Sequence, residues 1–131
     1  YGLDNGLDPD LAQVLRCNSA FTLALYAAMD IYIHYDGWSM EQIQDYLETM
    51  TGITDPEVVR EVYLQIVENP VNYLEYFTGY MEIMDMREQA EETLGNDFTA
   101  LEFNRFLLDI GPAPFRVIKP YFNEWLVEQA G

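Results

Sequence analysis

A chain of 131 residues has room for one hydrophobic core, and a content of 50% hydrophobic and 15% aromatic residues argues against an intrinsically disordered chain. With 23 Asp and Glu against 6 Lys and Arg, the formal net charge of −17 excludes the ordinary basic surface that binds nucleic acid or anionic membrane. No apolar run is long enough to span a bilayer, and a single cysteine, Cys17, excludes an internal disulfide and a cysteine-cluster metal site.

The sequence opens on Tyr1-Gly2-Leu3-Asp4, with no initiator Met, basic region or apolar signal core. It therefore reads as beginning in mid-sequence, as a mature form or a piece of something larger. The first predicted helix runs from about Pro9 to Tyr35, with Asp8 as its cap and Pro9 at its first position. From Ala20 to Ile33 it is apolar almost all round, which predicts the core helix, and Cys17, earlier on the same helix, is expected to be a buried, inert thiol. Gly37 ends it. Ser39-Met40-Glu41-Gln42 then reads as a capping box, opening a helix with Ile43, Tyr46, Leu47 and Met50 at helical spacing and Gly52 as its stop.

Thr54-Asp55-Pro56-Glu57 is the next start signal, again with capping-box spacing. The branched residues from Val58 to Val67 are compatible with a strand, but Pro56 at the first position and the charge spacing favour a helix. Asn69-Pro70 breaks this element and is expected to cap the next helix, which runs to about Leu94. Within it, Met81, Met84 and Met86 read as core filler. Gly95-Asn96-Asp97 makes a turn. Thr99 and Glu102 frame a short helix with Phe103, Phe106 and Leu107 facing inward. Gly111-Pro112-Ala113-Pro114 cannot be helical, and a last helix follows with Val117, Ile118, Tyr121, Phe122, Trp125 and Leu126 on its apolar face. The expected fold is all-α: about six helices joined by short turns, with no sheet, in a single helical domain over residues 1–131.

The chain lacks a complete catalytic set. One histidine cannot make a two-histidine zinc motif, there is no nucleophile elbow, and no glycine-rich phosphate loop is present. Cys17 and His34 lie several turns apart on one helix, too far to react together. No metal ligands and no tight zinc are therefore expected in this chain, although its carboxylates could hold calcium weakly. One constellation stands out. Tyr26, Asp30 and His34 follow one another at four-residue steps on the first helix. An aspartate beside a histidine orients the ring and favours its charged form, which suits a donor to a substrate carbonyl or a developing oxyanion. The plainer reading is a histidine paired locally at a helix C-terminus. The second candidate is Tyr76-Phe77-Thr78-Gly79-Tyr80: a glycine inside a helix costs about 1 kcal/mol against alanine and often admits another backbone, and a nearby tyrosine hydroxyl can donate. Simple helix packing is the alternative there.

The segment from Asp30 to Gln42, Asp-Ile-Tyr-Ile-His-Tyr-Asp-Gly-Trp-Ser-Met-Glu-Gln, resembles a pattern of a bacterial family known as domain of unknown function 885, roughly Asp-Thr-Gly-Ile-His-x-x-Gly-Trp-Ser-Arg-Glu-Gln. Pro70 to Ile83 is similar to its Pro-Gly-Gln-Ala-Leu-Ala-Tyr-Lys-x-Gly-Gln-x-x-Ile, and Arg87 to Phe98 to its Arg-x-x-Ala-Glu-x-x-Leu-Gly-x-x-Phe. Glu102-Phe103 and the run from Leu107 to Pro114 resemble its tail, so order and spacing hold over most of the chain. Full-length members resemble helical zinc metallopeptidases whose His-Glu-x-x-Pro-Gly-His motif lies upstream, together with a Glu-Gly-Trp-Ala-x-Tyr segment. The resemblance implies that this chain is the C-terminal part of such a hydrolase. Tyr1 would be the remnant of that tyrosine, and Gly2-Leu3-Asp4 would stand in a Leu-Gly-Leu-like stretch.

By the same resemblance, His34 and Tyr76 would face the cleft as substrate or transition-state donors, close to each other in space. Asp30 would support His34, and Tyr26, Gly79 and Tyr80 would stand nearby as substrate-binding or supporting positions. Zinc would belong to the parent protein, with no cofactor in this chain. The implied partners are the upstream remainder of that protein and a peptide substrate, with self-association of the isolated piece expected from the apolar surface left bare. Where the family often has arginines this chain has Leu23 and Tyr26, and its Lys and Gln are Phe77 and Tyr80. Losing those cations implies either a specificity turned towards apolar groups or a copy without activity. From a different class, the alternative is a non-catalytic acidic helical module that docks a protein partner.

Overall fold

The computed structural model describes residues 6–131; Tyr1 and Gly2-Leu3-Asp4, likened above to family segments, lie outside the described residues. Six α-helices follow in order: α1 Pro9–His34, α2 Met40–Thr51, α3 Pro56–Glu68, α4 Asn72–Leu94, α5 Ala100–Ile110 and α6 Phe115–Ala130. A 3₁₀ turn at Gly95–Asp97 joins α4 to α5, and no strand occurs among the described residues. The Val58 to Val67 segment is helical, inside α3. The chain divides into two compact units, Tyr1–Thr78 and Gly79–Gly131, with the division falling inside α4.

Local signals account for most of the helix ends. Asp8 Oδ1 accepts from the amides of Asp10 and Leu11 at 3.0 and 3.1 Å, so α1 starts where its cap predicts. At α2 the capping box is complete: the Gln42 amide donates to Ser39 Oγ at 3.4 Å, and the Ser39 amide donates to Gln42 Oε1 at 2.9 Å. Gly52 closes α2 in the left-handed region at φ +76°. At α3 the box does not form; Asp55 alone caps, accepting from the Glu57 amide at 2.9 Å, with Pro56 at the first helical position. Thr99 caps α5 by accepting from the Glu102 amide at 3.2 Å.

In the first unit α1 and α2 both pack on α3. The core is Leu25, Met29 and Ile33 from α1, Ile43 and Leu47 from α2, and Val59 and Ile66 from α3. These positions recur at steps of four or seven, one buried stripe per helix. Aromatic rings close its edge: Tyr32 stacks on Trp38 with centroids 4.1 Å apart, Tyr46 meets both rings edge-on, and the Tyr63 hydroxyl donates to the Trp38 carbonyl at 3.3 Å. Burial on α1 begins only at Leu25, so the earlier turns lie outside the core. Cys17 is consequently exposed, contrary to its expected burial. Leu11, Val14, Leu15 and Phe21 are exposed on the same turns, and Met50 on α2 is exposed as well.

The second unit is built on Met86, Ala90 and Leu94 of α4, Phe103 of α5, and Ile118, Phe122 and Leu126 of α6. Phe106, Leu107 and Trp125 pack against it half-buried, whereas Val117 and Tyr121, expected on the inner face of α6, are exposed. Of the three methionines read as filler, Met86 is buried, Met84 half-buried and Met81 exposed. Three pairs tie the surface of this unit, the Lys119 ammonium on Glu82 at 2.6 Å, Arg87 on Glu91 at 2.8 Å and Arg105 on Asp109 at 3.6 Å, each worth at most about 1 kcal/mol at such exposure. No helix among the described residues is long and apolar enough to cross a membrane.

Phe103 is 1% exposed and meets the rings of Phe98, Phe122 and Trp125 within 6.3 Å. Replacing it by alanine removes the centre of this cluster and is expected to cost about 3–5 kcal/mol, read as a lower urea midpoint in the transition of the unit that contains it. A loss under about 1 kcal/mol would show that the cluster refills the space.

Candidate functional site

The link between α1 and α4 is the carboxylate of Asp30. It is 2% exposed, the one buried charged or polar residue among those described. Its Oδ1 accepts from the Val71 amide at 2.9 Å and from His34 Nδ1 at 2.8 Å. Its Oδ2 accepts from the amides of Tyr73 and Leu74 at 3.2 and 3.3 Å. Asp30 thus caps α4 from another helix, at the end where free amides and the helix dipole both favour an anion. The sequence expectation that Asn69-Pro70 caps this helix is corrected. The Asn69 side chain turns back and donates to the Gln65 carbonyl at 3.0 Å, closing α3 instead. The chain then passes through Val71 at φ +69°, a left-handed conformation that disfavours a β-branched residue by roughly 1–2 kcal/mol. That twist turns the Val71 amide onto Asp30.

The same carboxylate fixes His34. With Asp30 accepting, Nδ1 carries the hydrogen, and the network therefore assigns Nε2 as the outward atom. Nε2 is an acceptor in the neutral ring and a donor in the imidazolium. The His34 side chain is 27% exposed, enough to present that edge to a ligand. The structure thus joins two of the three stepped residues directly, Asp30 and His34.

Tyr76 lies two residues beyond Leu74 on the first turns of α4 and is 64% exposed, with no hydrogen-bond partner among the described residues. Asp30 anchors the turn that precedes it. Tyr80 and Gly79 belong to the second unit. A Cβ added to Gly79 would meet only the Phe115 ring at 4.0 Å, an ordinary contact. The glycine therefore admits a side chain and not the close backbone expected of it.

Tyr26 is half-buried against Tyr73, with ring centroids 4.8 Å apart and planes inclined at 48°. Burial, then the neighbouring phenol of Tyr73, pushes its pKa above the ordinary value of 10.0. The two rings line a groove of about 520 Å³, together with Asn18, Ser19, Thr22 and Leu23 of α1 and Gln65 of α3. Leu23 and Tyr26 thus share one concavity. Tyr73 and Gln65 were not singled out in the sequence. Nothing in their spacing announces a groove assembled from three helices.

A profile of the family described as "Bacterial protein of unknown function (DUF885)" matches residues 2–120. The chain belongs to the DUF885 family. No curated protein and no solved structure matches it. Within this DUF885 chain the matched span contains Asp30, His34, Tyr76 and the whole groove.

Exchanging Asp30 for Asn keeps the size but removes the charge and places an amide donor against backbone donors. Asp30→Asn is expected to lower the stability of the first unit by about 2–4 kcal/mol in urea denaturation, and a loss below about 0.5 kcal/mol would deny the carboxylate its capping role. The tyrosines give a pH dependence. Burial raises Tyr46 as it does Tyr26, with Tyr32 beside it as the second cause. Both phenols hold their protons more tightly in the folded chain than in the unfolded one. Their stabilisation is therefore complete below the unfolded value of about 10 and is lost as pH rises through the folded values. The urea midpoint should be flat in this respect up to about pH 9.5 and fall above it. Tyr26→Phe should make the fall shallower, and an unchanged slope would remove Tyr26 as a contributor.

Proposed function

We propose that this chain forms one wall of the substrate cleft of a zinc-metallopeptidase-like hydrolase, with His34 and Tyr76 as hydrogen-bond donors to the substrate. The observation that supports the reading best is the double use of Asp30. One buried carboxylate orients the His34 ring at 2.8 Å and grips the first turn of the helix that carries Tyr76. A donor pair must be rigid to serve a transition state, and here both donors are referred to one buried anchor. In the imidazolium form, Nε2–H of His34 would be one donor to an oxyanion, held in place by Asp30, and the exposed Tyr76 hydroxyl would be the second.

Among the described residues, no three His, Cys, Asp or Glu side chains gather into a set that could hold a metal. Zinc fits no cluster here and would be held by residues of the parent protein upstream. The part played by this chain is binding and orientation. The exposed Leu11, Val14, Leu15 and Phe21 on the first turns of α1 offer an apolar surface suited to packing against that remainder.

The test belongs in a parent protein that carries this chain behind a His-Glu-x-x-x-x-His motif. His34→Ala and Tyr76→Phe should each lower peptide hydrolysis by about ten- to a thousand-fold while zinc content stays unchanged. Loss of zinc would make these residues ligands or supports of ligands. Unchanged rates in both variants would remove the cleft role and leave an acidic helical interaction module as the better reading.

A further inference from the structure

We propose that the groove of the first unit is a subsite for an uncharged peptide group: an apolar side chain flanked by neutral backbone amides. The inference deepens the cleft-wall reading by naming a substrate class, and rests on it for why such a ligand would come here.

The volume of about 520 Å³ falls in the range of ordinary ligand sites. Its lining carries no charge, although 22% of the chain is charged and the net charge is −17. No lysine or arginine lines it to hold a carboxylate, and the field of the whole chain opposes an anion. No carboxylate lines it to hold a cation. What the lining offers instead is neutral hydrogen bonding on an apolar floor. The hydroxyls of Ser19 and Thr22 donate to the carbonyls of Leu15 and Asn18, both at 2.9 Å, so towards the groove they present acceptor lone pairs. The amides of Asn18 and Gln65 and the phenols of Tyr26 and Tyr73 have no hydrogen-bond partner among the described residues. Donors and acceptors are thus both present and unspent. The inclined rings of Tyr26 and Tyr73, with Leu23, form the apolar part. A peptide unit matches this set: one donor, one acceptor and no charge, beside an apolar side chain.

Position agrees with such a role. Each four-residue step turns about 40° beyond a full turn, so the line Asn18, Thr22, Tyr26 winds gently along α1 towards Asp30 and His34. Along the axis, Tyr26 lies about 12 Å from His34 at 1.5 Å per residue. Extended peptide spans that distance in about four residues. A chain that enters the groove and follows α1 through the further rotation of about 80° between Tyr26 and His34 can therefore place a bond a few residues away beside His34.

The test is a titration of this chain with N-acetyl-L-phenylalaninamide, followed by the amide resonances. Saturable shifts confined to Thr22, Leu23, Tyr26, Gln65 and Tyr73 are expected. The anion N-acetyl-L-phenylalanine should bind at least tenfold more weakly, and Gln65→Ala, at an exposed position that leaves the fold alone, should weaken the amide at least threefold. Absence of saturable shifts, shifts spread over the chain, equal binding of the anion, or an unaffected Gln65→Ala variant would each overturn the proposal. Maltose binding as tightly as the amide would do so too, by making the groove a sugar site. The two readings fail separately. Groove binding with unchanged rates in His34→Ala and Tyr76→Phe parents sinks the cleft role alone, and lowered rates without groove binding sink the subsite alone.

Discussion

A single buried carboxylate organises the first unit. Removing Asp30 from water costs several kcal/mol, and an ion in that position persists only if its oxygens are fully engaged. They are: four hydrogen bonds reach them, three from backbone amides at the start of α4 and one from His34. Each is charge-assisted, and the amides belong to the positive end of a helix, so their combined field meets the negative charge where it is densest. The same bonds compensate the left-handed backbone at Val71, which no local preference of valine would choose. Remove the anion and the start of α4 has neither cap nor reason for its twist.

The proposed function grows out of that structural need. A histidine four residues along from a buried aspartate is placed within reach by the helix repeat alone. What makes it more than a local pair is that the aspartate cannot move. Its other bonds hold it to a second helix, so the His34 ring inherits a fixed position and a fixed outward nitrogen. Tyr76 follows on the helix so anchored. The groove past Tyr26 belongs to the same line of α1, but its character differs: charge is gathered at Asp30 and absent from the groove one turn earlier. A single helix therefore carries an uncharged groove on its middle turns and, about 80° further round from Tyr26, the Asp30–His34 pair near its end.

Much of the fold was legible in the residues because it depends on short-range physics. Asp8 with Pro9, the Ser39 to Gln42 box, Gly52, Thr99 and the prolines around Ala113 each act within a turn of the helix end they define, and each stands where expected. The apolar stripes of α2 and α5 follow the helix repeat closely enough for Ile43, Leu47 and Phe103 to be core on pattern alone. Pattern misled where burial depends on a partner that the sequence does not name. The first turns of α1 carry Leu11, Val14 and Leu15 at helical spacing, yet Cys17, Leu15 and Phe21 face solvent because the core begins at Leu25. Val117 and Tyr121 lie at suitable spacing on α6 and still miss its covered stripe.

The sequence by itself determined the class of fold, the ends of most helices and the membership of a family, since capping, helix periodicity and motif order are all written over neighbouring residues. It also placed Asp30 beside His34, because a four-residue step on a helix is a contact. The tertiary structure alone decided that Asp30 caps α4, over a separation of more than 40 residues, in place of the Asn69-Pro70 pair at hand. It alone brought Tyr73 and Gln65 to Tyr26. The physical reason is the same in both cases. A buried carboxylate must find donors wherever the fold can supply them, and a groove is defined by which helices fail to touch, neither of which has any signature in the spacing of residues along the chain.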